Sequence, residues 1–115
     1  MSQLLEYAND VQGAVSPALP LPTYIQSAIV PTASRTMLTV PNDYANWVVL
    51  FEYGADADVW VSVNHTAQPP ASGIFADGNC LLNPQGLRVL AGDVVTVYNN
   101  GANSISVCAA LYGLF

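Results

Sequence analysis

His65 is the only histidine in the chain, so a Ser-His-Asp site would have to be built around it. Its setting, Asn64-His65-Thr66-Ala67, contains neither a nucleophile elbow nor a base motif, and a lone loop histidine of this kind reads as ordinary surface. Asp56 and Asp58, in GADAD, could turn oxygens toward a cation. A D-x-D spacing does not complete a calcium shell, and a turn dressed with two carboxylates accounts for it. Cys80 and Cys108 could form one bridge, but they lack the CxxC spacing of zinc or redox sites. The opening MSQLLEYAND has no basic region followed by an apolar run, so no secretory signal is expected and two buried free thiols follow. Asn64-His65-Thr66 spells a glycosylation acceptor, a tripeptide common by chance. Gly-rich phosphate loops are absent. No catalytic residue, metal ligand or cofactor is expected, and the chain is read as not an enzyme.

Charge removes two further classes. The chain has 2 cations, Arg35 and Arg88, against 8 carboxylates, for a formal net charge of -6. Phosphate neutralisation needs a cluster of basic residues, so neither nucleic acid nor an anionic membrane is an expected partner. No stretch approaches the roughly 18 apolar residues of a membrane span. Charged residues make up 9% of the chain, against about 25% in ordinary soluble domains. Neutral polar residues must then cover the exposed area, or neighbouring subunits must, since the cores of interfaces are poor in charge. The two arginines are expected to pair with carboxylates.

The elements that would position such surfaces are legible as strands. A chain of 115 residues fits one domain, and 52% of it is hydrophobic. Residues 1–22 stand apart as an extended N-terminal arm. Leu4, Leu5, Tyr7, Ala8 and Val11 could mark a short amphipathic turn, but Gly13, Pro17, Pro20 and Pro22 stop any continuing helix. Residues 23–115 form the domain. Strands are predicted over Tyr24–Val30, Arg35–Val40, Asn46–Tyr53, Asp58–Asn64, Cys80–Asn83, Leu87–Leu90, Val94–Asn99 and Ser104–Tyr112, with turn signals between them. About eight short strands without a long helix give an all-β, antiparallel, jelly-roll-like β-sandwich.

Two strands carry more information than the rest. In NWVVLFEY, Trp47, Val49, Phe51 and Tyr53 share one face and Val48 and Leu50 the other, so the strand is apolar on both sides. A sandwich supplies one core, and the second face needs the arm, a long loop or a neighbouring chain. In DVWVSVN, Val59, Val61 and Val63 point one way, leaving Trp60 among polar residues on the other. It lies either under the following loop, residues 65–79, or at an interface.

Order along the last 80 or so residues is specific in aggregate. Leu38-Thr39-Val40-Pro41 is followed by the apolar strand, Ala57-Asp58-Val59-Trp60-Val61, a proline-bearing loop, Asp77-Gly78 and Leu82-Asn83-Pro84-Gln85-Gly86-Leu87-Arg88, then a closing β pair. This resembles the small head-decoration, or cement, proteins of tailed bacteriophages. The resemblance implies a β-sandwich on the outer capsid surface of the virion, clamping neighbouring capsomers. It implies the major capsid protein as partner and self-association as a homo-dimer or homo-trimer, with synthesis in the host cytoplasm. Other virion parts, such as tail or neck, carry related sandwiches. The rival from another class is a carbohydrate-binding, lectin- or fibre-like module that uses Trp60 as a stacking platform. The residues expected at an interface are Leu4, Leu5, Tyr7, Leu19 and Leu21 on the arm, Val48 and Leu50, Trp60, Ile74 and Phe75 in the long loop, and Phe115.

Overall fold

Period-two alternation puts valines and aromatics on one side of most segments from Tyr24 onward, and these segments are strands. The computed structural model describes residues 6–9, 15–18, 21–71, 73–74 and 78–114, the first two stretches by backbone alone. In chain order the strands are β1 Glu6–Asn9, β2 Val15–Ala18, β3 Tyr24–Val30, β4 Ser34–Thr39, β5 Asn46–Tyr53, β6 Val59–Val63, β7 Leu81–Leu82, β8 Gly86–Leu90, β9 Val94–Asn99 and β10 Ile105–Leu114. No helix occurs among the described residues. Within the arm, β1 and β2 pair antiparallel, Tyr7 opposite Pro17, where the apolar residues could instead have marked a helical turn. A proline is tolerated in so short a pair because it has an edge to face.

The domain is two four-stranded antiparallel sheets, ordered β3-β10-β5-β8 and β4-β9-β6-β7. The pairs β6–β7, β5–β8, β4–β9 and β3–β10 nest inside one another, so the chain is one long hairpin with its tip at β7. Rolling that hairpin adds the pairs β10–β5 and β9–β6 and closes a jelly roll. The core lies between the inner faces. Trp47, Val49 and Phe51 of β5, and Val107, Ala109 and Leu111 of β10, meet Val59 and Val61 of β6 and Val95 and Val97 of β9. The expected inward sets of β5 and β6 are therefore the observed ones.

Turn side chains lock the nested pairs. Asn83, at a φ of 45° that asparagine tolerates, accepts from the Val59 amide at 2.9 Å and donates to the Ala57 carbonyl at 2.8 Å. The next two carbonyls, of Pro84 and Gln85, accept from the Tyr53 hydroxyl at 2.6 Å and the Phe51 amide at 2.8 Å. The Leu-Asn-Pro-x-Gly segment thus carries the chain from one sheet to the other and bonds to both. Asn99, paired with Val59 on that residue's other side, does the same for the turn after β9. Its amide donates to the carbonyls of Val30 at 2.9 Å and Asn103 at 2.8 Å, and its oxygen accepts from the Gly101 amide at 2.8 Å.

Tyr53 gives this splice a pH dependence. The ring is half-buried, and burial pushes its pKa above the ordinary phenol value of 10.0. A raised folded-state pKa means that its contribution is complete below pH 10 and is lost as the pH climbs beyond it. Chemical denaturation across the alkaline range is expected to show stability falling above pH 10, and Tyr53→Phe is expected to flatten that fall.

Candidate interaction surfaces

Alternation also decides what the two sheets show to the outside. In the β3-β10-β5-β8 sheet, the register sets Ile25 beside Ala110 and Leu50, and Val48 between Tyr112 and Arg88. Ile25 is 63% exposed, Ile29 76% and Leu90 56%, while Val48, Leu50 and Ala110 are half-buried. Tyr112 and Leu114 point to the same side and are buried. The charges on this face are Glu52 and Arg88. In a chain of formal charge -6, it is a nearly neutral apolar sheet face. Single exposed apolar residues are normal on a monomer, whereas a contiguous set marks a contact surface.

The other sheet carries a different surface. Arg35, Tyr98, Trp60 and Leu82 form one row across β4, β9, β6 and β7. Among the described residues no carboxylate pairs with Arg35, where such a partner was expected. Its guanidinium carbon lies 4.8 Å from the centre of the Tyr98 ring, and its Nε donates to the Ala67 carbonyl at 2.7 Å. Cation–π contact and a buried carbonyl together satisfy a planar guanidinium well. Ala67 is fully buried, and on the outward side of the strands Ser62 and Thr96 are buried too. The first residues of the long loop therefore lie over this face. Cys80 fastens the loop's far end, accepting from the Gln68 amide at 3.3 Å and donating to Asn79 Oδ1 at 3.1 Å. Both cysteines are free, as expected, but half-buried where full burial was expected.

Trp60 stands half-buried beside the loop. Its indole N–H donates to Asp58 Oδ1 at 3.1 Å, and Asn100 Nδ2 donates to Asp58 Oδ2 at 3.1 Å. The acceptor glycosylation asparagine is likewise occupied. Asn64 donates to Asp93 Oδ1 at 3.0 Å and accepts from the Val94 amide at 2.9 Å. Asp93 is held below the usual carboxylate range, first by the Leu90 amide and then by Asn64. His65 is exposed, and no group of His, Cys, Asp and Glu suited to a metal occurs among the described residues.

Among the described residues, the expected interface residues lie on different surfaces. Val48 and Leu50 are on one outer face and Trp60 is on the opposite one. Leu21 is 93% exposed just before β3, and Ile74 is 81% exposed in the long loop. Tyr7 has its backbone in β1. Leu4, Leu5, Leu19, Phe75 and Phe115, with the side chain of Tyr7, lie outside the described residues. The face contains three strongly exposed residues beyond those expected, Ile25, Ile29 and Leu90. The i, i+4 repeat of Ile25 and Ile29 was visible in the sequence, but only the pairing with β10 shows that it adjoins Leu50. No protein-family model matches the chain, and no curated protein matches it.

Proposed function

We propose that this chain is a structural virion protein that decorates the outer capsid surface and clamps neighbouring capsomers. The observation that carries the reading is the apolar outer face of the β3-β10-β5-β8 sheet, where Ile25, Ile29, Val48, Leu50 and Leu90 surround only two charges, Glu52 and Arg88. The order of short motifs that resembles the decoration proteins supplies the identity of the partner. The jelly roll is compatible with it as fold-level analogy alone, because capsid and lectin domains share that architecture.

The physics of the role suits the composition. Packaged DNA pushes capsomers apart, and many copies of a small binder oppose this by favouring the assembled shell through mass action. An acidic chain gains nothing from meeting the genome and loses nothing on the outside of the shell. The carbohydrate-binding alternative is the weaker reading. The polar groups beside Trp60, Asp58 and Asn100, are engaged with each other and with its indole N–H, where a sugar site would present them to a ligand.

The test is co-sedimentation of the purified chain with capsid shells assembled from the major capsid protein of the genome that encodes it. Saturable binding is expected. Val48→Asp with Leu50→Asp places two carboxylates at half-exposed positions, so the domain should keep its circular dichroism while binding weakens about thirtyfold or more. Shells that pellet without the wild-type chain would refute the capsid role. Binding that survives the double substitution would place the contact on another face.

A further inference from the structure

Among the described residues the two sheets have four free edges, and three of them are blunted. β7 is two residues long. β4 carries Arg35, and β8 carries Arg88 beside Gly86. Short length and charge are the usual devices that keep sheet edges from pairing with other chains. The fourth edge, β3, has none of them. It runs for 7 residues, Tyr-Ile-Gln-Ser-Ala-Ile-Val, with no charge and no internal proline, and pairs on one side only, with β10.

From this edge we infer that two copies of the chain pair β3 against β3 across a two-fold axis through Ser27. The sequence of β3 is self-complementary about that residue. Antiparallel pairing centred there sets Ser27 opposite its own copy and Ile25 opposite Ile29 of the partner subunit, twice. On the inner side it sets Gln26 opposite Ala28. Paired residues share a face in an antiparallel ladder, so the 63% exposed Ile25 and 76% exposed Ile29 become cross-strand neighbours. The isologous geometry closes at two copies.

Two further observations fit the same occupant. The sandwich is open beside this edge, where a cavity of about 180 Å³ reaches between β3 and β4 to Phe51, Val107 and Ala109, with Gln26, Ala28 and Met37 among its lining. A partner strand extends the wall at its mouth. Charge also permits the approach, since a chain of net charge -6 presents an uncharged strand here. The product is one continuous eight-stranded sheet whose outer face joins the apolar surfaces of both copies. The pairing needs no capsid, so it stands or falls apart from the decoration role.

Sedimentation velocity of the full purified chain, from micromolar to near-millimolar concentration, is expected to show a monomer–dimer equilibrium. Ser27 is exposed, so Ser27→Lys and Ser27→Asp should each fold like the wild type. Each places like charges opposite one another across the axis and should weaken the dimer roughly fivefold or more. An equimolar mixture of the two variants should recover wild-type dimerisation as a heterodimer. A chain that stays monomeric throughout, or a dimer that neither variant weakens, would overturn the pairing. Two weakened variants that fail to recover on mixing would overturn the Ser27 register.

Discussion

Asn99→Ala is expected to lower the unfolding free energy by about 3 kcal/mol, because three hydrogen bonds end on one side chain that is 1% exposed. Alanine leaves the Val30 and Asn103 carbonyls and the Gly101 amide without that partner. The loss is not local. Through Asn99 the turn after β9 holds the end of β3, and the Ala33 amide donates to the Asn99 carbonyl at 2.9 Å, so two turns distant in sequence come apart together. Urea denaturation should show a lower midpoint with an unchanged slope. Asn99→Asp is expected to be at least as damaging at neutral pH, since it turns an anion toward two carbonyls. Asn100→Ala removes a bond from an exposed residue and serves as the mild control. A loss below 1 kcal/mol for Asn99→Ala would mean that the turns hold without the amide.

Trp47→Ala should be the most destabilising change in the domain, at about 3–5 kcal/mol. The side chain is fully buried at one end of the sandwich, with its indole N–H donating to the Tyr44 carbonyl at 2.9 Å. The Tyr24 ring is 5.9 Å away and the Tyr44 ring 5.5 Å, the latter edge-on. Opposite Trp47 in the ladder is Gly113, where an added methyl group would run into the Tyr44 ring. The cluster also reaches β3, because Tyr24 begins that strand and its hydroxyl donates to Asp43. With a total stability of about 5–15 kcal/mol for a domain of this size, the alanine variant should be partly unfolded near body temperature. Trp47→Phe keeps a ring and loses the donor, so a loss of about 1–2 kcal/mol is expected. Thermal melts of the pair separate packing from the hydrogen bond.

Strands were legible wherever one face was buried, because burial forces the alternation that the sequence displays. Asn46–Tyr53 is the clearest instance, and its boundaries in the sequence and in the structure coincide. What alternation cannot carry is register. Ile25 and Ile29 read as part of an ordinary strand until β10 sets them beside Ala110 and Ser106. Nor do turn signals reveal where their side chains go. Asn83 and Asn99 both sit in recognisable turn sequences, yet each is a bonding hub joining distant segments. The short motifs quoted for the resemblance include one of these hubs, Asn83, and its side chain serves the fold rather than any chemistry. Arg35 illustrates the reverse failure. One of two cations in an acidic chain suggests a carboxylate partner, and only the structure shows that the loop supplies a carbonyl from Ala67 and β9 a ring from Tyr98.

The nesting of the hairpin has a consequence in time. Its outermost pair joins Val30 to Ile105, a separation of 105 − 30 = 75 residues. At about 5–20 residues per second of synthesis, β3 waits on the order of four to fifteen seconds for β10 to leave the ribosome. Throughout that interval it is an uncharged apolar strand with both edges bare, and chains on one message present it to each other. Pro22 and Pro31, which bracket the segment and offer no N–H, are the gatekeepers that limit mispairing until the roll closes.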